Sequence, residues 1–194
     1  MKTDRKWIQF LQDSRLQAHE LVYDGQIIQV YRNQLAVEEG QFVQRDLVHH
    51  LPGVGILATN DHQQVILVKQ YRPGLVQDLY EIPAGLVDIK DGHLETRLLT
   101  AQRELAEETQ YQATIWQELG TYAVSPGFTD ERLTLFHAQG LSLVEYPVAQ
   151  DDHENVTAFL LDKEQIKAML RSQQIIDMKT VLALNYWLSK GELS

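Results

Sequence analysis

The chain has 194 residues, with 27 acidic and 17 basic side chains, a formal net charge of −10 and no cysteine. Its length fits one globular domain, or one domain with a small appendage, and its 44% hydrophobic residues can supply a core. The acidic balance argues against a nucleic-acid partner, because binding a phosphate backbone needs clustered Lys and Arg. It is compatible with a small phosphate-bearing ligand whose charge a bound cation neutralises. The lack of cysteine excludes disulfides, thiolate metal sites and cysteine nucleophiles.

The sequence contains no signal for export or membrane insertion. The N-terminus lacks an apolar run long enough for a signal peptide, and no stretch approaches the roughly 20 apolar residues of a spanning helix. We therefore expect a cytoplasmic protein, in agreement with the absence of cysteine.

The first fifty residues predict a short helix followed by a small antiparallel sheet. Trp7, Phe10 and Leu11 have the i, i+3, i+4 spacing of an amphipathic helix. Apolar residues then alternate from about 18 to 50, interrupted by Asp24-Gly25 and Glu39-Gly40, which favours a three-stranded meander. So small a sheet cannot bury both faces, and we expect it to pack on the main domain, on a second subunit, or on both.

The rest of the chain predicts a domain of alternating strands and helices beginning at Pro52-Gly53. The predicted elements are strands over 54–58, 65–69 and 79–82, a loop over 86–94, a helix over 95–110, strands over 115–123, 132–138 and 156–161, and helices over 162–171 and 177–188. This order predicts an α+β fold in the form of an α/β/α sandwich with a mixed sheet.

The central helix carries three carboxylates. Glu104, Glu107 and Glu108 follow the i, i+3, i+4 spacing that places side chains on one helix face. We expect an apolar stripe formed by Leu98, Leu99, Leu105 and Ala106, with the carboxylates opposite its members Leu98, Leu99 and Ala106. Like charges at this spacing repel, and a divalent cation such as Mg²⁺ or Mn²⁺ would turn the repulsion into ligation. The alternative is a solvated acidic face on which Arg103 pairs with Glu107.

The flanking residues resemble the signature of a known family. The pattern that looks like the Nudix box begins at Glu95. Seven residues separate Glu95 from the run Arg103-Glu104-Leu105-Ala106-Glu107-Glu108. Two positions depart from it. Ile89 stands where the box has its first glycine, so Gly85 is the natural equivalent and the loop is four residues longer. Gln110 replaces the glycine after the helix, where a left-handed cap would strain it; the alternative is that the helix ends differently.

Three further features resemble the ADP-ribose pyrophosphatase branch of this family: Gln70-Tyr71-Arg72 at a strand end, Pro126 fifteen residues beyond Tyr111, and the N-terminal meander. The resemblance implies Mg²⁺-dependent hydrolysis of ADP-ribose, or similar ADP-sugars, to AMP and ribose 5-phosphate. It also implies a homodimer in which residues 1–50 form the meander that lends substrate contacts to the partner, and residues 51–194 form the catalytic domain.

The resemblance also implies the site residues. Glu104, Glu108 and the main-chain carbonyl of Ala84 match metal ligands, and Glu107 matches an auxiliary ligand. Clustered cations would stabilise the charge on the diphosphate and generate or orient the attacking hydroxide. Arg103 and Glu95 would pair and hold the end of the helix.

The general base is expected on a late loop. Glu154 aligns best with the family's base, and Asp151 and Asp152 are the alternatives. His153 beside them is the residue whose ordinary pKa suits a base, although a lone loop histidine is more often inert.

Four residues are candidates for substrate contacts. Arg72 would contact the phosphates or the terminal ribose, and Glu81 would orient Arg72 or bind ribose hydroxyls. Arg45 is similar in position to an arginine donated by the partner, and Phe128 could stack on adenine. The alternatives are a surface salt bridge for Arg72, a solvated strand position for Arg45 and a packed loop aromatic for Phe128. We interpret the remaining aromatic and histidine candidates as structural: Trp7, Trp116, Trp187, His49 and His50.

Two other functions are compatible with the sequence. Within the enzyme class, the substrate could be another nucleoside diphosphate sugar such as GDP-mannose, or an oxidised nucleoside diphosphate. Outside it, the chain could be a non-catalytic nucleotide-sugar sensor that has kept the fold. Three repelling carboxylates retained together argue against the sensor, because binding without hydrolysis does not need all of them.

Overall fold

The computed structural model describes residues 7–149 and 156–190. These residues fall into two compact units. Unit 1 contains the described part of Met1–Pro52 together with Tyr122–Leu133, and unit 2 contains the described parts of Gly53–Thr121 and Thr134–Ser194. The division of the chain into residues 1–50 and 51–194 stays a prediction about domains.

Unit 1 is built on an antiparallel sheet. A 3₁₀ helix (Gln9–Gln12) precedes β1 (Leu16–Asp24), β2 (Ile28–Glu38) and β3 (Gln41–His50), and β2 lies in the middle. Tyr31 on β2 is paired with Leu21 and Leu47 and is 2% exposed. Phe10 of the 3₁₀ helix meets it edge to face, with ring centroids 5.6 Å apart. The predicted meander is confirmed.

Residues 122–133 join this sheet at β3. The amide of Val48 donates to the carbonyl of Phe128 at 2.7 Å, and the amide of Asp130 donates to the carbonyl of Val48 at 3.2 Å. The Asp130 carboxylate lies 2.8 Å from Nδ1 of His49, and both side chains are almost fully buried. Unit 1 therefore consists of two stretches that are distant in sequence.

Unit 2 contains the other strands and all three α-helices of the described chain. They are β4 (Gly53–Ala58), β5 (Val65–Arg72), β6 (Gln77–Glu81), β7 (Ala84–Leu86), β8 (Ile89–Lys90), β9 (His93–Leu94), α1 (Arg97–Thr109), β10 (Tyr111–Ala123), β11 (Arg132–Leu143), β12 (Thr157–Leu161), α2 (Lys163–Arg171) and α3 (Met178–Lys190), with the ends of β10 and β11 reaching unit 1. The strand orders are β10-β11-β4-β7 and β12-β5-β6, and β8 pairs with β9. The predicted α+β class is confirmed.

The hydrophobic core of unit 2 joins β4 to α1. Every residue of β4 is buried, as expected for an apolar strand covered on both faces. β4 pairs antiparallel with β7, so that Gly55 lies opposite Ala84. The core comprises Val54, Ile56, Ala58, Ile66, Val87, Ala101, Leu105, Phe136 and Ala138. This packing places α1 against β4 and β7.

Two features of this region differ from the sequence expectation. The segment expected as a loop over 86–94 contains the β8–β9 hairpin, whose turn residues Asp91 and Gly92 have φ angles of 51° and 75°. Asp-Gly favours such a two-residue turn, and the hairpin accounts for the additional loop length. The expected apolar stripe of α1 is wrong at Leu98 and Leu99, which are 40% and 54% exposed.

None of the helices in residues 7–149 and 156–190 is long and apolar enough to cross a lipid bilayer.

Candidate active site

Two carboxylates of α1 lie against β7. The side chain of Glu104 is so close to Gly85 that a Cβ built there would lie 1.9 Å from Cδ of Glu104. Oε2 of Glu108 accepts a hydrogen bond of 3.1 Å from the amide of Ala84. Glu104 and Glu108 are 7% and 4% exposed. The structure thus brings Ala84, Gly85 and both carboxylates together on the buried side of the helix.

The buried face of α1 explains why the apolar expectation failed. Its buried residues are Thr100, Ala101, Glu104, Leu105, Glu108 and Thr109. These positions form a regular helical stripe, but four of its six members are polar or acidic. Leu98 and Leu99 lie in the first turn of α1 and are exposed. The helix is therefore oriented with Glu104 and Glu108 inward, towards Gly85 and Ala84.

The N-terminal end of α1 is organised by Glu95. Oε2 of Glu95 accepts a 3.0 Å hydrogen bond from the Thr100 hydroxyl, and Oε1 accepts one of 2.6 Å from Lys90 of the β8 strand. Hydrogen bonding from Lys90 lowers the pKa of Glu95. The Thr96 side chain caps the helix by accepting from the amide of Leu99. Lys90 is a contact that the sequence pattern does not reveal.

Arg103 lies between the acidic groups. It donates to Glu107 at 2.7 Å and contacts Glu104 at 2.9 Å, while Glu95 is 3.7 Å from its Nε atom. The pairing with Glu107 given as an alternative is thus present beside the longer contact to Glu95. Burial by itself lowers the pKa of Arg103, but the charges of Glu104 and Glu107 outweigh it and raise the pKa. A permanently charged Arg103 offsets the repulsion between these carboxylates.

The donor set suits a hard divalent cation. Carboxylate oxygens are the ligands that Mg²⁺ and Mn²⁺ prefer, and the Gly85 position leaves room for Glu104 only because it lacks a side chain. Within the described ranges, no three His, Asp or Glu side chains already converge as a metal site. Glu104 and Glu107 contact Arg103, and Glu108 accepts from the amide of Ala84.

Arg72 and Glu81 form a second charged cluster in unit 2. Nε and Nη2 of Arg72 donate to the two oxygens of Glu81 at 2.6 and 2.7 Å, in the bidentate geometry of strong pairs. The side chain of Glu81 is 2% exposed and also accepts from Lys179. Burial alone would raise the pKa of Glu81, but hydrogen bonding from Arg72 and the charge of Lys179 lower it.

This cluster lies within electrostatic range of the carboxylate helix. The pKa of Arg72 is raised mainly by its hydrogen bonds to Glu81, and the charge of Glu108 contributes to the same shift. Lys179 was not a candidate from the sequence, because 98 positions separate it from Glu81. The one available signal was a lysine in the first turn of a helix, where the helix dipole disfavours positive charge.

The candidates in unit 1 are exposed. Arg45 on β3 donates to the carbonyl of its neighbour Gln44. Phe128 is 54% exposed and lines a cavity of about 390 Å³ together with Phe10, Leu47, Pro126 and Arg132. The interpretation of Phe128 as a packed loop aromatic does not fit this exposure.

The residues interpreted as structural have protein partners. Trp187 is 5% exposed, and Trp116 packs on Phe136 at the core with ring centroids 6.3 Å apart. His49 pairs with Asp130. The candidate bases Glu154, Asp151 and Asp152, with His153, lie outside the described residues.

Comparison with known proteins identifies the family. The chain matches the model of the NUDIX domain over residues 49–182. It is 34% identical over 169 residues to the ADP-ribose pyrophosphatase of Bacillus subtilis (strain 168), which covers 87% of this chain and 89% of that protein. It is 33% identical over 167 residues to the methanol dehydrogenase activator of Bacillus methanolicus, which covers 86% of this chain and 88% of that protein.

A solved structure supports the fold. The crystal structure of an ADP compounds hydrolase superimposes with a TM-score of 0.77 at 20% identity, covering 90% of this chain and 91% of that chain. The protein belongs to the Nudix family of hydrolases. It has homologues among ADP-ribose pyrophosphatases, and members of this family generally use a divalent metal ion. The resemblance inferred from Glu95 and the carboxylate helix is confirmed.

Proposed function

We propose that this Nudix hydrolase cleaves the diphosphate bond of ADP-ribose, or of a similar ADP-sugar, with Mg²⁺ as cofactor. Water adds to one phosphorus while the bridging P–O bond breaks, which gives AMP and ribose 5-phosphate. The observation that carries the proposal is the pair of buried carboxylates, Glu104 and Glu108, seated on Ala84 and Gly85. The 34% identity to an ADP-ribose pyrophosphatase supports this choice of substrate.

In this proposal the acidic residues divide into ligands and supports. Glu104, Glu108 and the carbonyl of Ala84 would hold the cation, with Glu107 as an auxiliary ligand. A bound Mg²⁺ would supply positive charge to the diphosphate oxygens and lower the pKa of the attacking water. Arg103 and Glu95 would keep the acidic groups in place, which their contacts with the helix support. Mn²⁺ would be an alternative to Mg²⁺ because it prefers the same oxygen ligands.

The remaining candidates would act on substrate and water. Arg72 would contact the phosphates or the terminal ribose, held by Glu81 in the orientation that the bidentate pair gives it. Glu154 would be the general base, with Asp151 and Asp152 as alternatives. In a cytoplasmic homodimer, Arg45 and Phe128 would contact the nucleoside. Their exposure supports a role in binding.

A panel of nucleotide sugars tests the substrate. ADP-ribose, ADP-glucose, GDP-mannose and an oxidised nucleoside diphosphate are incubated with the protein, with and without Mg²⁺, and the products are separated by ion-exchange chromatography. We expect ADP-ribose to give the highest kcat/KM and to yield AMP and ribose 5-phosphate only when Mg²⁺ is present. A higher kcat/KM for GDP-mannose would move the substrate to another nucleotide sugar. No turnover in any arm would favour a sensor.

A further inference from the structure

The first turn of α3 is joined to the segment that carries Ala84. We propose that Asp177, Lys179 and Thr180 are positioning residues that set the place of Ala84 and the orientation of Arg72. The inference rests on the proposed function for what these groups do, and it extends the site to a helix that no part of the Nudix box includes.

The contacts form a closed ring. Glu81 accepts from Lys179, whose ammonium lies 3.1 Å from the carboxylate of Asp177. That carboxylate accepts from the Thr180 hydroxyl at 2.6 Å and from the Thr180 amide at 3.0 Å. The same hydroxyl oxygen accepts a 2.9 Å hydrogen bond from the amide of Ile82. Because Ile82 follows Glu81 in the chain, the ring closes on itself.

Three members of the ring are buried, while Asp177 and Lys179 are partly exposed. Thr180 and Ile82 are both 0% exposed, and Glu81 is 1% exposed. A buried amide or carboxylate without a partner costs free energy, so the three buried members have a strong preference for their present contacts. Lys179 also contributes charge, since two cations on one buried carboxylate keep Glu81 ionised.

The segment held by the ring leads directly to the metal candidates. After Ile82, the carbonyl of Pro83 accepts from the amide of Ile56 at 2.8 Å. The next amide, that of Ala84, donates to Glu108. Only Pro83 lies between Ile82 and Ala84, so we expect a displacement of Ile82 to move Ala84 as well. On the other side of the ring, any rotation of Glu81 moves Arg72, because two hydrogen bonds join them.

Thr180→Val tests the ring with almost no change in the shape of the side chain. The variant keeps the volume of the side chain but leaves the amide of Ile82 without its acceptor. Thr180→Ser restores the hydroxyl. Thr134→Val is the matched control, because Thr134 is also a buried threonine, 1% exposed, that bonds another hydroxyl at 2.8 Å.

The first measurement is Mn²⁺ binding to the whole protein by isothermal titration calorimetry, without nucleotide. We expect Thr180→Val to raise the Kd for Mn²⁺ by about 10- to 100-fold, the range typical of residues that support metal ligands. Thr180→Ser should return it to within about threefold of wild type, and Thr134→Val should leave it unchanged. Because no substrate is present, this result does not depend on which nucleotide sugar the enzyme prefers.

The second measurement separates the two ends of the ring. Lys179→Met removes one cation from Glu81 but leaves the Thr180–Ile82 hydrogen bond, so we expect a higher KM for the best substrate of the panel with less change in Mn²⁺ affinity. Lys179→Met also tests the proposal if Thr180→Val does not fold. Wild-type Kd for Mn²⁺ in a folded Thr180→Val, or wild-type KM in Lys179→Met, would overturn the proposal for that end of the ring.

Discussion

Gly85 and Glu104 are in such close contact that a single methyl group at residue 85 would overlap the Glu104 carboxylate, at 1.9 Å from both Cδ and Oε1. Gly85→Ala should therefore displace a proposed metal ligand by about 1 Å, which can lower a rate about 100-fold. We expect kcat to fall by that order and Mn²⁺ to bind more weakly, as measured by steady-state kinetics and calorimetry. Gly74→Ala is the matched control, because a Cβ there has no atom of the described residues within 4 Å.

Glu108→Gln should separate the chemistry from the fold. The amide oxygen of Gln can still accept from the amide of Ala84, while the charge that would bind the cation is lost. We expect activity to fall about 100-fold or more, and the melting temperature of the metal-free protein to be maintained because repulsion from Glu104 is relieved. Glu118→Gln, an exposed acid on β10, controls for the loss of one charge. Full activity in Glu108→Gln would contradict the assignment of Glu108 as a ligand.

Gln110 ends α1 in the left-handed conformation, with φ of 62°. Its side chain donates to the carbonyl of Val148 at 2.7 Å and accepts from the amide of Val148 at 2.9 Å. Gln110→Ala keeps the strained conformation and loses both bonds, so we expect a loss of about 2 kcal/mol in the free energy of unfolding. Gln110→Gly relieves about 1 kcal/mol of strain and should lie between that variant and wild type.

Urea unfolding of the three proteins measures these differences. If Gln110→Ala and Gln110→Gly were equally stable, the left-handed conformation would carry no cost at this position, and the account of the helix end would be wrong.

We expect His137 to make the stability depend on pH. Burial, with a smaller effect of the Lys190 charge, lowers its pKa from 6.5 to about 4, and its Nε2 atom contacts the Thr59 hydroxyl at 2.8 Å. Between these pH values the unfolded chain binds more protons than the folded one, so stability falls as the pH decreases from about 6.5 to 4. The contribution between pH 7 and pH 5 is about 2 kcal/mol.

His137→Gln removes this titration and keeps a group that can bond Thr59. The loss of stability between pH 7 and pH 5, measured by urea unfolding, should therefore be about 2 kcal/mol smaller in the variant than in wild type. The same loss in both proteins would assign the pH dependence to other groups.

Much of the fold follows from local sequence patterns. The meander alternates with period two and turns at Asp24-Gly25, and the Asp162 capping box starts α2 as its spacing predicts. The hairpin over 89–94 was missed, although Asp91-Gly92 is a strong turn signal, because the strands on either side have only two residues each. Periodicity has little information in so short a segment.

The candidate site shows where local patterns fail. Apolar periodicity assigns the leucines Leu98 and Leu99 to the core, yet the helix buries Glu104 and Glu108 instead. A functional site can override the preference for burying apolar side chains, because the buried acids have partners such as Ala84 and Arg103. The contact of Lys179 with Glu81 is a tertiary one, and no spacing rule connects residues so far apart. Roles for these side chains stay predictions.

The attachment of residues 122–133 to β3 has a consequence for dissecting the protein. A fragment that began at Gly53 would leave the carbonyl of Phe128 and the amide of Asp130 without the backbone of Val48, and the buried Asp130 carboxylate without His49. The loop between β10 and β11 thus depends on β3, which lies some eighty positions earlier in the sequence. Substitutions in β3 are accordingly expected to alter the conformation of the Pro126 loop, and any shortened form of the protein needs both stretches on one polypeptide.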